Sequence, residues 1–367
     1  MERVNAEFLK KIKTLGAFDI NACFSCGNCT AICPLSNETY SFPRKMIRYS
    51  MLGLEEKIIS NPDLWLCYYC GECSDSCPRE ADPGALMMAL RRYAIRKYSV
   101  GKIADLFYNG LLSAITWVIL TIAAIAGILL FREPSPNLTQ VKPLSFISLD
   151  FLHTAGIALG IFIAFFVIVQ IFIMALSISR RNSPPLNSFV GNFFKVLFNE
   201  VFIQKNFNQC EDKKRYVAHL LLFWGFSALF IATILAFGTD FFGFPVSFRL
   251  LARILGVIGG FILLYGAGFF IWKRLKAKDS FSKYSHHSDW IFLILLFFAG
   301  FTGLLMDLFH LLKLPWPTYI TFAFHLIIVF DLLVAAPFSK FAHAIYRPLA
   351  IWLSMVFTAS KSKKAEM

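Results

Sequence analysis

Six long apolar stretches, at about 106–131, 150–179, 217–242, 250–272, 289–312 and 318–340, decide the class of fold before any motif does. Each reaches the roughly 20 residues that a helix needs to cross about 30 Å of hydrocarbon. Composition agrees: 57% of the residues are hydrophobic and the mean hydropathy is +0.60, where soluble domains sit near ~45–50% apolar. The excess is uneven, because residues 1–105 are polar and charged. Basic residues orient the stretches. Segments 91–105, 180–216, 273–289 and 340–367 hold 22 of the 36 Lys and Arg, whereas the alternating segments hold only Arg132, Lys142, Arg249 and Lys313. The positive-inside rule then predicts a multi-pass protein of the cell inner (cytoplasmic) membrane with both termini cytoplasmic. That topology accounts for the +13 net charge without nucleic acid. MERVNAEFLKKIKTLG, at the start, has no apolar h-region, so no cleavable signal peptide is expected.

One segment, about 186–207, is neither span nor loop. After SPP at 183–185, apolar residues recur at Leu186, Phe189, Val190, Phe193, Phe194, Leu197, Phe198, Val201 and Phe202. Asn187, Asn192, Lys195, Asn199 and Glu200 fall on the other face. That rhythm predicts an amphipathic helix. Lying on lipid at the membrane surface is the preferred reading, with docking against a protein partner as the alternative.

The polar part carries C-x2-C-x2-C-x3-C-P twice: Cys23, Cys26, Cys29, Cys33 and Pro34, then Cys67, Cys70, Cys73, Cys77 and Pro78. In a reducing compartment such clusters argue for metal ligation rather than disulfides. Three closely spaced thiolates wrap one corner of a cubane, and the fourth, before proline, reaches the other cluster in two-cluster ferredoxins. The expected sets are therefore Cys23, Cys26, Cys29 and Cys77 for one [4Fe-4S] cluster, and Cys67, Cys70, Cys73 and Cys33 for the other. Structural zinc sites favour paired cysteines at wider separation. Cys210, alone in a basic loop, reads as an incidental thiol. The insert 34–66 looks helical, and 84–98 reads as a helix leading into the first span.

Histidine inside a bilayer marks function by default. His325 and His343 lie 18 residues apart, five helical turns on one face, about 27 Å along a continuous axis. This is the spacing of two haems stacked across a membrane, each needing a second axial ligand. His219 lies at the depth of His343. For the outer iron, depth ranks His310 ahead of His153 as the partner of His325. His286 and His287 read as solvated. Asp307, Lys313 and Trp316 at the outer end, with Asp331 near mid-membrane, are candidates for a quinol site; Lys313 and Trp316 also suit simple interfacial anchors.

These residues carry a resemblance. HLIIVF…PFSKFAH is similar to the last haem-binding helix of nitrate reductase gamma-type cytochromes b, and HLLLFWGF to the start of their first. Leu229 stands where that family has a second histidine. Residues 20–98 resemble heterodisulfide reductase C subunits. The fusion resembles the membrane subunits of quinone-interacting membrane-bound oxidoreductase complexes. The resemblance implies two haem b groups, inner on His219 and His343, outer on His325. It also implies electron exchange between menaquinol and cytoplasmic heterodisulfide reductase A-like flavoproteins that communicate with adenylylsulfate reductase.

The expectation is thus a mainly α protein: residues 1–105 as a helical, ferredoxin-like two-cluster domain, 106–343 as a six-helix dihaem cytochrome b bundle, and 344–367 as a basic tail. No Gly-rich dinucleotide fingerprint occurs, so flavin belongs to partners. A membrane anchor for a heterodisulfide reductase-like complex is the alternative.

Overall fold

The computed structural model describes residues 3–36, 41–131, 141, 146–179 and 186–365, and among them there is no strand. Arg132, Lys142 and SPP at 183–185 lie outside the described residues, as do the side chains of Leu186, Asn187 and Phe189. The fold is mainly α, as composition and periodicity require.

The N-terminal domain contains α1 (Phe8–Thr14), α2 (Asn28–Ile32), α3 (Arg44–Met51), α4 (Glu72–Asp75) and α5 (Pro83–Tyr98). Only α5 is longer than eight residues, and helices that short do not hold together without packing. Helix α5 starts cleanly because Pro83 opens its first turn and the Asp82 carboxylate accepts the Ala85 N–H at 3.0 Å. It does not run on into the membrane. It is the domain's central post, with Ala85–Leu90, Tyr93–Ile95 and Tyr98 buried. Phe8 and Ile12 of α1, Met46 and Ile47 of α3, and Trp65 pack around it.

The second half contains α6 (Leu111–Phe131), α7 (Leu149–Ser179), α8 (Leu186–Val196), α9 (Lys213–Phe241), α10 (Val246–Lys276), α11 (His287–Leu311), α12 (Pro315–Ala335) and α13 (His343–Ala365). Six of these, α6, α7 and α9–α12, are long and apolar enough to cross a membrane. Helices α9 and α10 form the closest pair. A Cβ on Gly225 would sit 2.6 Å from the Leu263 nitrogen, and one on Gly266 2.7 Å from the Leu222 Cβ. Small residues let two backbones approach where lipid gives no hydrophobic drive between helices.

Three sequence expectations change here. His325 and His343 do not share one helix: α12 ends at Ala335, and the next helix begins at His343. Pro337 lacks a backbone N–H, and the Ser339 hydroxyl accepts the Phe341 N–H to start a short 3-10 turn. The 27 Å estimate, which assumed a continuous axis, therefore does not apply. Residues 344–365 are helical and no loose tail either; Tyr346, Ala350, Leu353 and Val356 of α13 are buried, the first three in the core shared with the N-terminal domain. The amphipathic segment passes from α8 into a π-helical turn, Leu197–Phe202. There Glu200 is only 5% exposed and faces the N-terminal domain instead of lipid headgroups.

Candidate metal centres

The two cysteine motifs fold alike. In each, the second residue after the first cysteine takes a positive φ (Ser25 61°, Tyr69 56°), as does the following glycine (Gly27 94°, Gly71 102°). The tight reversal turns backbone N–H groups inward: Ser25 N–H lies 3.4 Å from Cys23 Sγ, and Tyr69 N–H lies 3.2 Å from Cys67 Sγ. Gly71 is required twice over, because a Cβ there would collide with Ser280 as well as strain the backbone. The helices that follow, α2 and α4, pack together, with Asn28 donating to the Ser76 carbonyl at 2.6 Å.

The thiols interleave between motifs. Cys23, Cys26 and Cys77 surround Cys29, whereas Cys67 and Cys70 neighbour Cys33. Burial, together with the neighbouring thiols, pushes Cys33 up to about 12 and raises Cys73 further. A wall of desolvated thiols is costly as free thiolates and suited to metal, whose charge offsets theirs. The residues present therefore fit the crossed pair of cubane sites. Cys33, Cys67, Cys70 and Cys73 line one cavity together with Tyr68, Tyr69 and Cys210.

Two arginines that the motif could not announce flank this cavity. Arg91 of α5 donates to the carbonyls of Leu64, Trp65 and Cys67. Burial lowers it only to about 10, so it stays charged at neutral pH. Arg215 of α9 donates to the carbonyls of Tyr68 and Tyr69 and covers the Phe281 ring at 3.9 Å. Both place positive charge beside a site whose thiolates are negative.

Under this cavity lies the histidine pair. The rings of His219, in the second turn of α9, and His343, at the start of α13, have centroids 6.4 Å apart. Gln204 Oε1 holds His219 Nδ1 at 2.7 Å, and the Lys340 carbonyl holds His343 Nδ1. A carbonyl only accepts, so His343 is protonated on Nδ1 and keeps the Nε2 lone pair for a metal. Burial depresses His343 to about 4, leaving it neutral. A metal–nitrogen bond of about 2 Å on each side, plus the ring radii, fills roughly that separation. The pair therefore fits an iron held between two imidazoles.

A continuous set of contacts joins the two places. Tyr68, between Cys67 and Cys70, stacks on Phe207 with centroids 5.1 Å apart, and Phe207 meets the His219 ring edge-on at 5.3 Å. The Tyr68 hydroxyl donates to Glu200 at 2.6 Å, and the Arg347 guanidinium lies 3.7 Å over its ring. Glu200 also pairs with Arg347 at 3.5 Å. Beside this, Asp289 pairs with Arg92 of α5 at 2.7 Å and with Lys340 at 3.0 Å. The sequence offered one clue to these residues: acids inside otherwise basic or apolar segments.

The remaining candidates are not gathered into one site. Thr302 gives its single proton to the Phe298 carbonyl and meets His325 Nδ1 at 2.9 Å. His325 is thus level with Thr302, and His310 lies eight residues further along α11, about 12 Å. His153 packs against Phe237 and Phe241, with centroids 4.9 and 5.8 Å away. The structure does not bring His310 to His325. Asp307 is paired with Arg253 at 3.0 Å, and Lys313 and Trp316 are exposed. Asp331 accepts from Thr121 of α6 and is buried, 15 residues or about 22 Å along α12 from Trp316. His286 and His287 are not simply solvated: their ring centroids lie 3.9 Å apart with the planes tilted by 36°, and His287 bonds the Phe107 carbonyl at 3.0 Å.

Comparison with known proteins gives separate matches for the N-terminal and C-terminal parts of the chain. Residues 19–81 match the 4Fe-4S dicluster domain, and residues 204–364 match the family described as citrate utilization protein B. A protein of Archaeoglobus profundus, described as like the C subunit of heterodisulfide reductase, is 35% identical over 108 residues, covering 28% of this chain and 57% of that protein. The C subunit of the H(2):CoB-CoM heterodisulfide,ferredoxin reductase of Methanothermobacter marburgensis is 42% identical over 63 residues, 17% of this chain and 34% of that one. Citrate utilization protein B of Escherichia coli is 30% identical over 152 residues, 39% of each chain. The matched parts thus span from about a third to somewhat over half of these relatives. No solved structure matches the chain. The N-terminal part is an iron–sulfur domain of the 4Fe-4S dicluster type, similar to heterodisulfide reductase C subunits, and the membrane part is similar to citrate utilization protein B.

Proposed function

We propose that the chain is a membrane electron-transfer subunit, exchanging electrons between menaquinol and a soluble flavoprotein partner. The observation that carries this reading is the unbroken contact from Cys67 and Cys70 through Tyr68 and Phe207 to His219 and His343. In it, Cys23, Cys26, Cys29 and Cys77 hold one [4Fe-4S] cluster, Cys67, Cys70, Cys73 and Cys33 the other, and His219 with His343 an inner haem b. Bound there, these groups supply one-electron carriers. Gln204 and the Lys340 carbonyl fix the imidazole tautomers, and Arg91 and Arg215 counter negative charge beside the second cavity. Tyr68 and Phe207 fill the gap between the two sites and keep water from it.

Likeness to heterodisulfide reductase C subunits supports partners of heterodisulfide reductase A type. The fusion with a membrane half supports a place in a complex like the quinone-interacting membrane-bound oxidoreductases, serving adenylylsulfate reductase, with both termini cytoplasmic. His325, with its Nδ1 held by Thr302, is the residue we assign to an outer haem; His310, about 12 Å further along α11, does not reach it as α11 and α12 are arranged. Purified chain should show a b-type visible spectrum and two reduced-cluster EPR signals. His343→Ala should remove a haem signal and leave iron–sulfur content intact. A preparation with both clusters and no haem would overturn the redox reading of the membrane half and favour a membrane anchor.

A further inference from the structure

Cys210 does not behave as an incidental thiol. It lies in the loop after the π-helical turn, six residues beyond the Gln204 that holds His219, yet it lines the cavity of the second cysteine motif. It is 4% exposed. Its sulfur, the Cys70 sulfur and a Glu72 carboxylate oxygen all lie within 4.8 Å of one another. The loop is pinned there: the Glu211 N–H donates to Glu72 at 3.1 Å, and Arg215 donates to the carbonyls of Tyr68 and Tyr69. Five buried or half-buried thiols, Cys33, Cys67, Cys70, Cys73 and Cys210, thus face a site where a cubane takes four.

We propose that Cys210 is an alternative to Cys70 as the ligand of one iron, contributed by the membrane half to the cluster of the N-terminal domain. Cys210 binds that iron as a thiolate in exchange for Cys70, its proton passing by way of the Glu72 carboxylate, within reach of both sulfurs, to the released Cys70 sulfur, so that one iron–sulfur bond forms, one breaks and no electron changes hands. The position of Cys70 explains why it is the one replaced. It is the motif cysteine whose sulfur lies within 4.8 Å of the Cys210 sulfur, and Arg215, in the first turn of α9 just after the Cys210 loop, holds the carbonyls of Tyr68 and Tyr69 beside it. A cluster ligated this way is tied directly to the segment that orients His219.

The inference rests on the assignment of the 67–77 motif to a cluster, and the full-length chain tests both. Iron and acid-labile sulfide are quantified and both reduced clusters are followed by EPR in the wild type, Cys70→Ala, Cys70→Ser, Cys210→Ala and Cys70→Ala/Cys210→Ala. Cys70→Ala and Cys70→Ser are expected to keep both clusters, with a shifted signal for the second that is the same in each, since a thiolate outcompetes serine for iron. Cys210→Ala is expected to keep both, and the double variant to lose the iron and sulfide of one cluster while the first cluster's signal persists. Loss of the second cluster from both Cys70 variants overturns the proposal, as does its loss from Cys210→Ala alone. A wild-type chain with a single cluster overturns the underlying assignment as well, which separates the two failures.

Discussion

At the end of the bundle beneath the N-terminal domain, Glu200, Asp289, Lys340, Arg347, His219 and His343 are buried or half-buried, and each has a defined partner. At the opposite end, His310, Lys313 and Trp316 are exposed, and the acids Asp240 and Asp307 each have one arginine, Arg249 and Arg253. The contrast follows from desolvation. A charge withdrawn from water and lipid headgroups must be paired or bonded, so it can persist only in a connected network. An exposed group pays no such cost and is under no such constraint. Connected, desolvated polar groups inside an apolar protein point to a site; scattered exposed ones are what a membrane surface ordinarily carries.

Removal of one imidazole from each end tests that contrast most severely. His343→Ala should abolish the inner haem signal outright, whereas His310→Ala should leave the haem spectrum unchanged. Equal loss from both would place a cofactor at the far end and end the asymmetry argued here.

Acids come next. Glu200→Ala leaves Arg347 and the Tyr68 hydroxyl without their shared acceptor, and breaking a buried pair costs about 3–5 kcal/mol. The expected result is a loosened junction, read as faster limited proteolysis around residues 203–212. Asp307→Ala, at a half-buried acid paired with an Arg253 side chain that is 48% exposed, should cost about 0–1 kcal/mol. A similar proteolysis rate in the two variants would remove the distinction between the ends.

Much of the fold is legible in the sequence for reasons these experiments share. The six spans follow from length and hydropathy alone, and the crossed thiols follow from a spacing that only a two-cluster arrangement uses economically. Depth points to His219 and His343, yet the reasoning for depth fails at Pro337, where the helix expected to carry both His325 and His343 ends. Glu200 reads as part of a solvated face because helical periodicity says which residues share a face, not what covers it. Cys210 reads as incidental because nothing in its neighbourhood along the chain repeats; its partner, Cys70, is distant in sequence and arrives only when the loop folds over the N-terminal domain. Arg91 and Arg215 are invisible for the same reason: buried cations look like any others in a basic segment.

A subtler change at the junction is Tyr68→Phe. The ring that fills the space between Cys67 and Phe207 remains, while Glu200 loses one donor of the set Tyr68, Asn206 and Arg347. A hydrogen bond to a charged acceptor is worth about 1.5–3 kcal/mol, so stability should drop within that range with haem and cluster content unchanged. Loss of either cofactor would show that the hydroxyl does more than brace Glu200.

The smallest effect is expected far from both ends, on the N-terminal domain. Burial alone would raise the Glu55 carboxyl, but the Lys97 and Asn5 donors outweigh it and hold it below its usual value. Lys97 lies 2.7 Å away and Asn5 Nδ2 2.8 Å away. The folded domain therefore binds fewer protons at Glu55 than the unfolded chain does as the pH falls past the ordinary carboxylate range. Stability from this group is complete above that range and is lost as pH drops through the depressed folded value. Because the Lys97 side chain is 47% exposed, solvent screens the pair and the loss should be under about 1 kcal/mol. Denaturant titrations of the full chain followed at the reduced-cluster signals, at pH 7 and pH 4, should show a gap between wild type and Glu55→Gln that narrows on acidification. A gap that widens would mean that Glu55 is protonated in the folded domain, and that the Lys97 and Asn5 donors do not hold it as the geometry implies.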